Sequence, residues 1–429
     1  MKAIGEKVSQ IKRIAKKFIA YSIEGEKKVY RLKHTPLKIA RCYTKEYHRE
    51  YEKLPVVPNK IIFDNYMGKG FGCNGKYVTK ELLLSKEAYD IVWTVKDALN
   101  HQQNFPAGVR LVEYGSKEAL REYATAGVWV QNYHLVHYLN KGLLKKPEQS
   151  YIQMWHGSFG IKKIEGDCTN LTVDKNWTYL AKKNADYTDY WISNGSFETA
   201  VYRQAFWNVE NVLEYGHPRN DIFFAEDIAE YKEKVRSHYG IQEEKLVVYV
   251  PTFRDEGMEW EQELDYCRLL TNLQKRFGGT WNALVRMHPR MKEYASKLIP
   301  ASDLITDVTD YPDIQELLAA ADVVITDYSS AIFDFLLTKK PGFIYAPDYK
   351  SYEQMRGLYY PLEDTPFPVA KDNTALEKNI LEFQIDKYKE KAQDFLQNKG
   401  SVEDGKAAKR IVKFIEQIVA GKESESWNI

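Results

Sequence analysis

From Asn59 onward the chain alternates short apolar runs with amphipathic helical stretches, and it does so in two series. The first series of expected strands is Lys60–Phe63, Tyr89–Val95, Arg110–Tyr114, Val128–Gln131, Ile152–Trp155, Tyr190–Ser193 and Val212–Tyr215. Between them lie helical patterns such as Ser116–Thr125 and Ser196–Phe206. The second series is Lys245–Val250, Ala283–Arg286, Leu304–Thr306, Val323–Thr326 and Phe343–Tyr345. Strand-then-helix repetition at this pitch demands a parallel sheet covered on both faces. The charged, helical stretch 220–244 between the series reads as a hinge. The expected fold is therefore α/β, with two Rossmann-like lobes facing across a cleft where their strand ends converge.

Length agrees with this division, since 429 residues exceed one ordinary core. The expected organisation is an N-terminal segment 1–55, a first lobe 56–225, a second lobe 240–400, and a final helix and tail 401–429. The net charge of +1 conceals an asymmetry: residues 1–60 hold 16 Lys+Arg against 6 Asp+Glu, which leaves the rest acidic. Within that basic segment Val8, Ile11, Ile14, Ala15, Phe18 and Ile19 recur at helical spacing, flanked by Lys7, Lys12, Arg13, Lys16 and Lys17. A basic amphipathic helix over 5–21 suits an anionic membrane surface or a face of its own protein. Cys42, Cys73, Cys168 and Cys267 show no paired spacing, which indicates neither a zinc site nor a disulfide framework and fits a reducing cytoplasm. No signal peptide and no apolar run long enough to span a bilayer is expected. Residues 402–420 read as an amphipathic helix able to cross back between the lobes.

Several strand ends carry chemistry. The run Ala321–Phe335 breaks at Asp327 and opens into a helix through Tyr328-Ser329-Ser330, with Asp334 one turn in. Helix-start amides and hydroxyls suit a phosphate, although Ser329 or Ser330 can equally serve as an ordinary cap. Ser330 and Asp334, four apart, share a helix face. His156, after Ile152–Trp155, is either a general base or a loop histidine, and Gly157 beside it permits close backbone approach. Arg219 offers a planar fork for phosphate, while Asn220 and Asp221 read as a turn opening the next helix. Thr252 and Arg254 end the first strand of the second series, with Arg254 able to reach an anion or to pair with Asp255. Arg286 and His288 lie at the same edge. This inventory suits phosphoryl transfer, which asks mainly for positioning and charge stabilisation. There is no Gly-x-x-x-x-Gly-Lys-Ser/Thr loop, and no Asp-x-Asp near a strand end, so an obligatory divalent metal is not indicated.

The ordered motifs Gln153–Ser158 (Gln-Met-Trp-His-Gly-Ser), Gly216–Asp221, Val250–Asp255, Arg286–Pro289 and Thr326–Phe335 resemble those of CDP-glycerol glycerophosphotransferases, over roughly residues 59–370. These are primases and polymerases of teichoic acids and related capsule polymers. The resemblance implies a GT-B-type fold, a CDP-glycerol donor, CMP as leaving product, and no obligatory cofactor. It also implies a lipid-linked saccharide or polyol-phosphate acceptor and peripheral attachment to the cytoplasmic face of the membrane. By resemblance His156 is the general base, and Gly157 and Ser158 line the donor phosphates. Arg219, Pro251-Thr252 and His288 meet the pyrophosphate, with Arg254 and Arg286 beside them, and Ser329, Ser330 and Asp334 complete the donor site. The chain departs from the family pattern at Ser158-Phe159, where Thr-Pro is usual, and at Tyr359–Leu362 and Thr365–Pro368. Those departures bear on the transferred alcohol and the acceptor. A CDP-ribitol transferase, a nucleotide-sugar glycosyltransferase on the same fold, and a non-catalytic scaffold of a polymer-assembly complex are the competing readings.

Overall fold

The computed structural model describes residues 51, 53–168, 175–254, 263–288, 291 and 299–421. The expected helix over 5–21 lies outside the described residues.

Seven strands form the first sheet: β1 Val57–Asp64, β2 Asp90–Val95, β3 Val109–Glu113, β4 Ala126–Gln131, β5 Ser150–Gln153, β6 Tyr190–Ser193 and β7 Val212–Glu214. Six form the second: β8 Lys245–Val250, β9 Trp281–Val285, β10 Ile305–Asp307, β11 Val323–Thr326, β12 Gly342–Tyr345 and β13 Val369–Ala370. The spatial orders are β3-β2-β1-β4-β5-β6-β7 and β10-β9-β8-β11-β12-β13. Every pairing in both is parallel. Each sheet thus begins in its middle and winds outward both ways, with a switch point between β1 and β4 and another between β8 and β11. All twelve expected strands are present. The thirteenth, β13, has two residues directly after Pro366-Phe367-Pro368, and so short a run carries no periodic signal.

Side chains alternate across the first sheet with the period of two that a strand dictates. Ile61, Phe63, Ile91, Trp93, Val128, Val130 and Ile152 enter one core, whereas Ile62, Val92, Trp129 and Tyr151 enter the other. The final helix, Ala407–Val419, supplies Ile411, Val412, Phe414 and Ile415 to the first of these cores. The chain end therefore does cross back onto the first lobe. Where it crosses, Gly195 and Gly400 meet so closely that a Cβ on Gly195 would lie 2.1 Å from the Gly400 carbonyl oxygen. Only glycine permits that approach.

The lobes are joined by buried polar contacts. Lys76, on the helix Cys73–Leu82, donates to Asp313 at 2.6 Å and to Glu316 on the helix Ile314–Ala320 at 2.7 Å. The stretch between the sheets is a 3₁₀ turn, Pro218–Phe224, followed by the helix Ile228–Tyr239, whose Val235 is packed in the core of the second sheet. Asn220 and Asp221 do not open that helix. Asn220 donates to Glu403 at 2.8 Å, and the Asp221 carboxylate accepts from the backbone N–H groups of Ala407 and Ala408 at 3.0 and 2.8 Å. A residue 186 positions away thus caps the last helix, which no local pattern encodes.

Candidate active site

The two switch points and the strand beside the first one carry the candidate residues. After β5 the chain reverses at Trp155 (φ +47°) and again at Phe159 (φ +39°). Left-handed backbone at bulky residues costs on the order of 1–3 kcal/mol each and persists where packing overrides it. Here Trp155 and Phe159 are both buried aromatics, and the turn they bracket presents His156. The His156 Nδ1 lies 2.9 Å from the Asn132 carbonyl oxygen at the end of β4. A carbonyl only accepts, so Nδ1 carries the proton and Nε2 keeps its lone pair. Burial, and then the neighbouring Arg219 guanidinium, push the imidazole down to about 3 against the opposing pull of the Asn132 bond. Tyr66, Tyr133 and Trp155 surround the ring at centroid distances of 5.1, 5.5 and 4.2 Å.

Arg219 ties this turn to the second lobe. Its Nη2 donates to the Gly157 carbonyl at 2.7 Å, while Nε and Nη2 grip the two oxygens of Asp334 at 2.9 and 3.2 Å. Gln315 closes the arrangement by donating to the Arg219 carbonyl and to Asn220. The fork read as open to phosphate is thus engaged by a carboxylate, and only its Nη1 is buried without a hydrogen-bond partner among the described residues. Asp334 lies on the helix Ala331–Leu336, which starts at Ser330 directly beyond β11. Ser329 and Ser330 are half-buried at that start, the Ser329 hydroxyl accepting from Ala331 at 3.3 Å and Ser330 making no capping bond.

At the second switch point Asp327 is the organiser. Its carboxylate accepts from the backbone N–H of Thr252 at 2.9 Å and of Tyr328 at 2.5 Å, and it pairs with Arg254 at 2.8 Å. Arg254 also makes a two-point contact with Asp348 at 2.6 and 3.1 Å and donates to the Thr252 carbonyl. Its guanidinium lies 5.3 Å from the rings of both Tyr328 and Tyr352, which stack at 3.7 Å. Arg254 therefore braces the loop through Asp327 and Asp348; Asp255, its expected partner, lies outside the described residues. The Thr252 hydroxyl, by contrast, is buried and has no hydrogen-bond partner among the described residues. Pro251 is buried beside it. His288 is exposed, with its ring 5.6 Å from that of Phe253. Arg286 donates to the carbonyls of Tyr311 and Val308 at 2.6 and 3.3 Å, and burial lowers its affinity for a proton.

Eight of the predicted residues thus fall into two connected units. His156, Gly157, Arg219 and Asp334 form one connected unit across the lobes, and Thr252, Arg254 and the Ser329-Ser330 helix start form a second around Asp327. Ser158 belongs to neither unit: its hydroxyl is buried and accepts from Asn194 at 2.8 Å. Sequence reasoning missed Asn132, Tyr66, Asp327 and Asp348 as parts of the site. Asn132 directly follows β4 and Tyr66 lies two residues beyond β1, so their position at a switch point was the available signal. The departures at Tyr359 and Tyr360 also acquire a role. The Tyr359 hydroxyl donates to Asp167 at 2.7 Å, its backbone N–H donates to Ile161 at 2.8 Å, and the Tyr360 hydroxyl donates to the Phe159 carbonyl. They fasten the segment after His156 to the second lobe. Among the described residues no group of three or more His, Cys, Asp or Glu is placed to hold a metal ion.

The family model described as CDP-glycerol:poly(glycerophosphate) glycerophosphotransferase matches residues 46–417. A teichoic acid poly(glycerol phosphate) polymerase of Staphylococcus epidermidis is 32% identical over 375 residues, covering 83% of this chain. The chain spans about half (50%) of that relative's length. It spans 92% of the Bacillus spizizenii protein of the same name, which is 30% identical over 371 residues and covers 84% of this chain. Among solved structures, the wall teichoic acid polymerase TagF, in a His-to-Asn variant soaked with CDPG, superposes with a TM-score of 0.77 at 27% identity, covering 92% of this chain and 97% of that one. The chain belongs to the CDP-glycerol:poly(glycerophosphate) glycerophosphotransferase family.

Proposed function

We propose that this chain transfers glycerol phosphate from CDP-glycerol to a hydroxyl of a membrane-bound, lipid-linked acceptor, releasing CMP, in teichoic acid or capsule-like polymer synthesis. The observation that carries the reading is the tautomer of His156. With Nδ1–H bonded to Asn132, the Nε2 lone pair is available to take the proton of an acceptor hydroxyl. That oxygen attacks the β-phosphorus of the donor in line. A new P–O bond forms to the acceptor, the β-phosphorus bond to the bridging oxygen breaks, and CMP leaves with the electron pair. The hydroxyls of Thr252, Ser329 and Ser330 and the exposed His288 are the groups available to the donor phosphates on the second lobe. The paired doubly wound sheets support a GT-B-type arrangement, with the acceptor on the first lobe and the donor on the second.

Attachment to the cytoplasmic face of the membrane rests on the basic segment 1–60. Among the described residues no helix is long and apolar enough to cross a bilayer.

The test is CMP release with CDP-glycerol, CDP-ribitol and UDP-sugars side by side on a lipid-linked acceptor. CDP-glycerol is expected to be the productive donor, and His156→Ala to lose about 10²–10⁴-fold in transfer while retaining CDP-glycerol binding. Full activity of that variant removes the base assignment, and UDP release from a UDP-sugar overturns the donor assignment.

A further inference from the structure

A cavity of about 670 Å³ opens at the carboxyl ends of β2, β3 and β4, on the first lobe alone. Met67, Lys96, Tyr114, His137, Lys141 and Trp177 form most of its wall. None of the donor-side groups described above lines it. Its electrostatics are one-sided: two lysines face it, and no carboxylate is among its described lining residues. The acids on the adjoining strand ends are themselves hydrogen-bonded, with Asp64 also within electrostatic reach of Lys96. Asp64 accepts from the Thr94 hydroxyl at 2.5 Å and the Gly68 N–H at 3.2 Å, and Glu113 accepts from the N–H groups of Asp97 and Ala98 at 3.2 and 3.0 Å.

The cations are held rather than free. Lys141 donates to the Gly115 carbonyl, and Lys96 stands 5.6 Å over the Tyr114 ring. Burial, and then the nearby Lys141 and Lys96 ammoniums, lower the affinity of His137 for a proton, so both lysines lie within electrostatic reach of one imidazole. The His137 Nε2 is buried without a hydrogen-bond partner among the described residues. Two oriented ammoniums, an unsatisfied ring nitrogen and the Tyr114 and Trp177 rings make a lining for a phosphate joined to a sugar or polyol.

The cavity is also one aromatic layer from the candidate base. Tyr66, whose ring lies 5.1 Å from His156, precedes Met67 of the wall; Tyr133, 5.5 Å from His156, lies 6.2 Å from Trp177 of the wall. Resting on the transfer reading above, we propose that this cavity is an acceptor subsite that holds a phosphate ester already present on the acceptor while the terminal hydroxyl reaches His156.

The experiment has two arms that do not depend on each other. In the first, amine acetylation of Lys96 and Lys141 in the full chain is followed by peptide mass spectrometry, with synthetic tri(glycerol phosphate), a disaccharide pyrophosphate or inorganic phosphate as the probe. Protection of both lysines by either of the first two, at concentrations where inorganic phosphate gives none, is the expected result and tells which part of the acceptor sits there. Absence of protection by both overturns the proposal, as does equal protection by inorganic phosphate, which marks a nonspecific anion site. In the second arm, a Lys96→Gln/Lys141→Gln variant is expected to raise the acceptor KM about tenfold while the Kd of CDP-glycerol stays within about twofold. An unchanged acceptor KM overturns the proposal. A wild-type chain that protects the lysines but shows no transfer from CDP-glycerol refutes the transferase reading and leaves the phosphate site standing.

Discussion

Arg219 and Asp334 form a two-point ion pair between the lobes, at 2.9 and 3.2 Å, and the same guanidinium holds the Gly157 carbonyl beside His156 at 2.7 Å. The pair couples the two halves of the site. Arg219 is 3% and Asp334 5% exposed, so neither charge has water to fall back on if the other is removed.

Asp334→Ala leaves a buried, unpaired guanidinium, and the expected loss of stability is about 3–5 kcal/mol, read by chemical denaturation. The double variant Arg219→Met/Asp334→Leu should recover most of that stability, because an apolar pair of similar volume is often as stable as an ion pair. It should not recover CMP release, because nothing then fixes Gly157. Recovery of both would show the pair to be a fold element alone.

Thr252→Val separates binding from folding. The hydroxyl is buried without a partner among the described residues, so replacing it by a methyl group should leave stability unchanged or raised. If it meets a donor phosphate, CDP-glycerol affinity falls by about 10- to 100-fold, as expected for a hydrogen bond to a charged group. Titration calorimetry with CDP-glycerol reads the effect directly.

Asp327→Asn tests the second unit. It weakens the hold on the Thr252 and Tyr328 N–H groups and removes one of the two carboxylates around Arg254. Stability should drop by about 3 kcal/mol and the KM for CDP-glycerol should rise, with the acceptor KM little affected. A larger effect on acceptor than on donor would contradict the division of labour between the lobes.

On the proposed base role, the pH profile follows from His156. Its folded-state value is depressed to about 3, below the ordinary histidine value of 6.5, so the neutral form that can accept a proton persists well below pH 6. In kcat/KM the acid limb assigned to this residue should therefore lie far below 6.5. For stability the sign is the same. Between about pH 6.5 and 3 the unfolded chain binds the proton that the folded chain refuses, so this group's contribution is lost as pH falls through that window. His156→Gln should flatten that part of the stability curve, measured by denaturation at pH 4, 5, 6 and 7.

Glu403 works in the opposite direction. Burial raises its carboxyl to about 8, against the bonds from Asn220 and His217, so the folded chain keeps a proton that the unfolded chain has released. This group's contribution is present below about pH 4.5 and is lost as pH rises towards 8. Glu403→Gln is expected to reduce that decline between pH 6 and 8.

What the sequence determined by itself was everything set by local pattern. Period-two and period-3.6 hydrophobicity placed twelve strands, because each must bury its side chains whatever the neighbours are. The spacing of polar residues after those strands marked His156, Arg219, Thr252, Ser329 and Ser330 as positions near strand ends. The tertiary structure decided which polar groups satisfy one another, since partners such as Arg219 and Asp334, 115 residues apart, leave no trace in local periodicity. For that reason two arginines with the same sequence signature as phosphate binders have their forks taken by carboxylates. The reason is the cost of burying a charge: once packing has excluded water from Arg219 and Arg254, a carboxylate must stand beside each.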